Sequence, residues 1–254
     1  EMAFNGNSLH IGCAFSIIEI VAVLYRSHLN FDLNKPNDPK RNYLVMSKGH
    51  GVMAQYACMR ELGQLSDKDI TNYFGDGTKL KGLSDSRVEG LEVTGGSLGH
   101  GLSVATGLAY GAMLKKSDQK VFVIVGDGEL NEGPCWEAIQ FLGHHKLENL
   151  MIIVDKNSYQ AMGKTDEIIN QTNLHAQIKS FGFEVKTIDG HDEEKLDSGI
   201  KELFSSTTKN PKAIVANPIK GKGVSFMENS NEWHYSRLDQ STYEAALSEL
   251  DLRK

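Results

Sequence analysis

Apolar and polar positions change their rhythm partway along the chain. From Val121 onward, short β-rich runs alternate with longer stretches of helical period, which is how a parallel sheet covered by helices reads in one dimension. Val121–Val125 (VFVIV) is an unbroken apolar run of the kind a strand buried on both faces needs. Gly126-Asp127-Gly128 follows it, and then a helical stretch from Pro134 to His145. Leu150–Asp155 repeats the strand signal. Phe183–Ile188 and Ala213–Ala216 read as two more strands, with helices over Asn173–Ser180 and Asp192–Phe204. Strands and helices in this order predict an α/β fold with a doubly wound, mostly parallel sheet flanked by helices.

The first half is more helical. Cys13–His28 is strongly apolar, Gly49–Leu62 is mixed, and Ser66–Phe74 opens on a capping pattern, Ser66 with Asp69 three residues on. Gly95–Leu114 begins as a Gly-rich turn and continues as a small-residue helix that lets backbones approach closely. With no repeat, low-complexity tract or linker, residues 1–254 are read as one domain.

Composition narrows the classes. The 254 residues are 40% apolar and 24% charged with 25 Gly and 5 Pro, which excludes collagen-like, disordered and disulfide-scaffold chains. A chain of this length buries roughly 70–75% of its unfolded surface, so a real core is available. The net charge of -6, with acids and bases intermixed, argues against nucleic acid or an anionic membrane as partner. Cys13, Cys58 and Cys135 are odd in number, far apart and without metal-ligand spacing, which predicts a reducing, cytoplasmic setting and no structural zinc. The longest apolar run, Ile17–Leu24, contains Glu19 and is too short to span a bilayer. No signal peptide or anchor is visible, and the opening Glu1-Met2 leaves residues upstream an open question.

The candidate chemistry lies at the strand ends. In open α/β sheets ligands bind at the carboxyl ends of the strands, and here Asp127 follows one apolar run while Asn157 follows the next. A right-handed crossover between them makes the two strands neighbours and brings both side chains to one crevice. A carboxylate, an amide oxygen and a backbone carbonyl are hard ligands suited to Mg2+, which completes its shell with phosphate oxygens and water. The flanking glycines allow close approach to a phosphate, and the following helix offers its first amides. By itself Gly-Asp-Gly reads equally well as a turn; the strand before, the helix after and Asn157 beyond favour a metal-diphosphate site.

The segment from Gly126 to Gln160, GDGELNEG through VDKNSYQ, resembles the GDG…N signature of thiamine-diphosphate enzymes, and its surroundings resemble the N-terminal, diphosphate-binding region of transketolases. The likeness runs through Asn7–Ile20, Leu44–Gly51 (LVMSKGHG), Leu91–Ala109 and Asn217–Asn229 in family order and spans essentially the whole chain. It implies that Asp127, Asn157 and the Tyr159 carbonyl hold Mg2+, and that Gly126, Gly128 and Glu129 lie with thiamine diphosphate. It further implies that Gly96, Ser97 and Leu98 approach the aminopyrimidine side. Glu132 takes the place of the family's acid in a dimer-spanning proton network. His10, His50 and His234 match three histidines near the reactive carbon, where imidazoles can shuttle protons and bind ketose hydroxyls.

Read without the family, His10 is a polar residue at a helix start, His50 a helix N-terminal residue, and His234 a surface residue beside Trp233. His28, His144, His145 and His175 are read as surface or packing residues, and Trp136 as core. Lys220 and Lys222 either approach phosphate or solvate a loop, the loop being the simpler reading. Two positions depart from the family. Leu83 stands in Lys81-Gly82-Leu83-Ser84-Asp85 where a Gly-His-Pro segment is usual, and His100 stands where Gln is common. Leu83 donates no hydrogen bond, which points to a donor or acceptor other than the ordinary pentose phosphates.

The family's catalytic glutamate sits on a pyrimidine-binding domain, and nothing after Asn229 resembles it. The resemblance therefore implies one half of a split transketolase. The pyrimidine-binding and C-terminal domains would lie on a partner chain, and the assembly would be a heterotetramer with two copies of each chain. The implied reaction transfers a two-carbon ketol unit from a ketose to an aldehyde. Two other readings stay open: part of an acyl-transferring or decarboxylating thiamine-diphosphate enzyme, and a non-catalytic pseudo-subunit. A dinucleotide-binding reading lacks its GxGxxG.

Overall fold

A computed structural model describes residues 1–171 and 173–251; the end of the 1–254 domain reading, residues 252–254, lies outside the described residues. The strands are β1 (Tyr43–Met46), β2 (Val121–Gly126), β3 (Leu150–Asp155), β4 (Tyr159–Gln160), β5 (Gly163–Lys164), β6 (Glu184–Ile188) and β7 (Lys212–Ala216). Five of them form one sheet in the order β1-β2-β3-β7-β6, every pairing parallel, and β4 and β5 form a small antiparallel hairpin. The doubly wound sheet expected from the sequence is present.

Alternation explains the two layers. Successive side chains of a strand point to opposite faces, so Phe122 and Ile124 join the core under helices Ile18–Ser27 and Glu193–Ser205. Val121, Val123 and Val125 join a second core under helices Gly101–Leu114, Gly133–His145 and Leu174–Ser180. Each of these five residues is 0% exposed, which is why the run carries no polar position.

The four expected strands lie within a residue of their predicted bounds, and the helices after Gly133, Asn173 and Asp192 are present. Ser66 and Asp69 do form a reciprocal capping box, on the short helix Asp67–Thr71. The apolar stretch Cys13–His28 is a correction: it is two helices, Ile11–Phe15 and Ile18–Ser27, not one. The break falls where Ser16 Oγ reaches the Cys13 carbonyl (3.0 Å) and the Asp155 carboxylate (2.8 Å), local bonds that compete with helix continuation. Strand β1 and the helix Gln240–Asp251 are additions that the sequence pattern does not predict. Gly101 shows why small residues open the helix Gly101–Leu114: a Cβ there would lie 2.6 Å from the Ser47 Cα.

Candidate active site

Segments leaving the carboxyl ends of β1, β2 and β3, and the chain beyond β7, converge on a cavity of about 390 Å³. Lys48 and His50 follow β1, Asp127 to Glu129 follow β2, Asn157 and Tyr159 follow β3, and His234 comes from the segment after β7. This is the position that sheet topology assigns to ligands.

Asp127 and Asn157 meet there as expected. The Asp127 amide donates to the Asp155 carbonyl (3.1 Å), extending the register of β2 and β3 by one residue. Its carboxylate accepts from the amides of Gly128 and Ser158, both at 2.8 Å, and from Thr165 Oγ1 at 3.2 Å. Ser158 adopts a positive φ of 68°, and this turn aims its amide at Asp127. Asn157 Oδ1 accepts from the Tyr159 amide at 3.0 Å, and Tyr159 lines the same cavity. The Gly128 backbone is so close to the hairpin that a Cβ would lie 2.7 Å from the Gln160 Cβ. Burial, then the charge of Asp155, pushes the Asp127 carboxyl up to about 6. A buried carboxyl short of positive charge, beside an amide oxygen in an open cavity, fits a divalent cation.

Two buried frames hold this arrangement. Asp155, 0% exposed, pairs with the Lys48 ammonium, accepts from Ser16 Oγ, and takes the Asn157 amide Nδ2 at 2.9 Å. Burial is the largest single influence and works against the Lys48 charge, but the combined attraction of Asp155, Cys13 and Asp127 raises the lysine above its ordinary value. Glu129 joins three segments: its carboxylate accepts from Ser47 Oγ (2.5 Å), the Gly99 amide (2.9 Å) and the Gly126 amide (3.1 Å). Lys48 and Asp155 are parts of this frame that the motif reading passes over. Their signal is a charged residue shortly after β1 and another closing the apolar run of β3.

The three histidines cluster. Ring centroids are 5.2 Å apart for His10 and His50, 5.8 Å for His50 and His234, and 6.0 Å for His10 and His234. His10 Nδ1 lies 3.1 Å from the His234 carbonyl and donates to it, which leaves its Nε2 as an acceptor. Lys220 Nζ lies 2.7 Å from His234 Nδ1. One reading is corrected here: Lys220 is 0% exposed and packs against His234 and Cys13 rather than solvating a loop; His234, at 9%, is buried, which sets aside the alternative of a surface residue. Lys222 stays on the loop, near Glu228. His28 pairs with Asp197, and Trp136 packs against the second core.

Burial above all pushes the His234 imidazole down to about 4, against about 6.5 in an unfolded chain. A histidine lowered on folding resists a proton that the unfolded chain accepts. Its contribution to stability is thus intact above about pH 6.5 and lost as pH falls toward 4, by up to about 3 kcal/mol. Urea denaturation at pH 7 and pH 4.5 is expected to show that loss, and His234→Gln should remove this part of it.

Other predicted positions lie at the edge. Leu98 and Glu132 line the cavity, Glu132 being exposed at its rim. Gly96 and Ser97 do not line it; Gly96, with φ 131°, packs so closely against Gly49 that a Cβ on Gly49 would lie 3.1 Å from the Gly96 nitrogen. His100 is exposed, its Nδ1 lying 3.2 Å from the Leu98 carbonyl. Leu83 lines a second cavity of about 320 Å³ together with His10, Phe74, Lys81 and Tyr235.

Residues 3–252 match the family described as transketolase, thiamine diphosphate binding domain. The chain belongs to the transketolase family. It is 35% identical over 254 residues to one subunit of the apulose-4-phosphate transketolase of Phocaeicola vulgatus, covering 100% of this chain and 90% of that protein. It is 36% identical over 243 residues to the 6-deoxy-6-sulfo-D-fructose transketolase subunit SqwG of a Clostridium species, covering 95% and 88%. The crystal structure of transketolase from Campylobacter jejuni superposes with a TM-score of 0.90 at 28% identity, covering 98% of this chain and 40% of that one. This transketolase domain is therefore the thiamine-diphosphate-binding part, and among its described residues no helix is long and apolar enough to cross a membrane.

Proposed function

We propose that this chain is the diphosphate- and Mg2+-binding half of a two-chain transketolase of carbohydrate metabolism, moving a two-carbon ketol unit from a ketose to an aldehyde. Residues 1–254 act as one domain, and the pyrimidine-binding and C-terminal domains come from a partner chain in a heterotetramer with two copies of each. The convergence of Asp127 and Asn157 at the carboxyl ends of neighbouring strands carries the reading. Relatives named as single subunits of a transketolase, which match this chain over most of their length, support the division between chains. Three free, buried cysteines support a cytoplasmic setting.

When bound, thiamine diphosphate supplies the carbanion-stabilising centre for breaking and remaking the bond beside a ketone. Asp127, Asn157 and the Tyr159 carbonyl hold the metal, and Gly126 and Gly128 leave room for the phosphates. Leu98, which lines the cavity, would contact the cofactor, and Gly96 and Ser97, which do not line it, would contribute only where a partner completes the site. The histidines divide the proton work: His10 offers a lone pair at Nε2, while Lys220 on His234 Nδ1 leaves the other ring nitrogen of His234 as a donor. His50 stands beside both, and Glu132, exposed at the rim, would be free to meet the partner.

Assayed with thiamine diphosphate and Mg2+, the chain alone is expected to give no ketol transfer, and the partner chain is expected to restore it. Robust turnover by this chain alone overturns the two-chain reading. Because Leu83 lines the cavity beside His10, xylulose 5-phosphate with ribose 5-phosphate should be a poor pair; normal turnover of both removes that specificity.

A further inference from the structure

Cys13 stands among groups that the proposed reaction does not require of a thiol. His10 and Cys13 lie on one short turn, in the pattern His-x-x-Cys, and His234 closes over them from the segment after β7. One ring nitrogen each of His10 and His234 and the Cys13 sulfur all lie within 4.8 Å of one another. This corrects the expectation that no cysteine has metal-ligand spacing: the pattern is short, and its third member is supplied by the fold from more than two hundred residues away.

A second observation marks the same point as a place for positive charge. The Lys220 ammonium lies 3.7 Å from Cys13 Sγ and 2.7 Å from His234 Nδ1, so a cation already bridges two of the three groups. Burial alone would raise the Cys13 thiol, but the fields of His50 and Lys220 together with hydrogen bonds to His10 and His50 hold it well below its ordinary value. Burial instead pushes the other two thiols, Cys58 and Cys135, up to about 12. The lowered His234 ring presents neutral nitrogen chemistry, and Cys13 lines the open cavity, so a small ion has a path inward.

We propose that His10, Cys13 and His234 form a capture site for a soft or borderline divalent cation of the Zn2+ and Cd2+ class, separate from the Asp127–Asn157 site. One thiolate and two imidazoles match the preferences of such ions, and the cavity side leaves the fourth position open to water or ligand. The entering ion takes over the charge balance that Lys220 now supplies, and the thiol proton is released to solvent. An ion there withdraws His10 and His234 from proton transfer, so the same groups give the protein a means of metal inhibition. Mg2+ does not compete, because it prefers oxygen ligands and keeps its waters.

Cd2+ titrated into the full chain tests the site, read by the ultraviolet sulfur-to-metal absorption band. One equivalent is expected to give the band in the presence of excess Mg2+. Cys13→Ser should abolish it, and His10→Ala and His234→Ala should each weaken binding by about 10–100-fold. His10 is only partly buried, so its variant keeps the test open if His234→Ala fails to fold. Absence of the band, its survival in Cys13→Ser, or wild-type affinity in His10→Ala overturns the proposal.

Discussion

Replacing Asp127 with alanine is expected to abolish metal-dependent cofactor binding whatever sugar is offered. The side chain is the anionic member of the proposed Mg2+ set, and it also accepts the amides of Gly128 and Ser158, which set the loops after β2 and β3. Its loss removes the proposed ligand and leaves three inward-facing donors, the two amides and Thr165 Oγ1, without their acceptor. Calorimetric titration of the proposed two-chain assembly with thiamine diphosphate and Mg2+ should show affinity reduced by about 10–100-fold or more. Full retained affinity means the metal lies elsewhere. A change confined to substrate choice is equally incompatible with the proposed role, in which Asp127 holds the metal.

The largest stability effect is expected from Lys48→Met. Lys48 and Asp155 side chains are 2% and 0% exposed, so removing the ammonium leaves a carboxylate buried with only Ser16 and Asn157 as donors. Breaking a buried pair in this way costs about 3–5 kcal/mol, whereas replacing both partners with apolar residues is often close to neutral. Urea unfolding of Lys48→Met should show that loss, and Lys48→Met with Asp155→Leu should recover much of it. A loss below about 1 kcal/mol in the single variant would mean that the pair is not the frame of the site. The double variant should still bind cofactor poorly, since Asn157 then has no Asp155 to orient it.

Strands β2, β3 and β7 are legible in the sequence because apolar, β-branched runs mark them, most strongly where both faces are buried, and β6 because β-branched residues alternate with charged ones. Strand β1 is not, because YLVM is only four residues long and merges into the SKGHG loop that follows. The break within Cys13–His28 is hidden because periodicity measures apolar spacing and carries no trace of Ser16 bonding a carboxylate 139 positions away. Asp127 and Asn157 are found through their places after two strong strands. Lys220 escapes for a general reason: a lysine in a Gly-rich segment is ordinarily solvated, and only the folded chain shows Cys13 and His234 closing around its ammonium.

The carboxylate of Glu129 ties the end of β1 at Ser47 and the end of β2 at Gly126 to the Gly99 turn before the helix Gly101–Leu114. A ligand arriving here meets a seat already assembled. Little conformational freedom is left to be lost on docking, so most of the attraction between phosphate, metal and protein can appear as affinity.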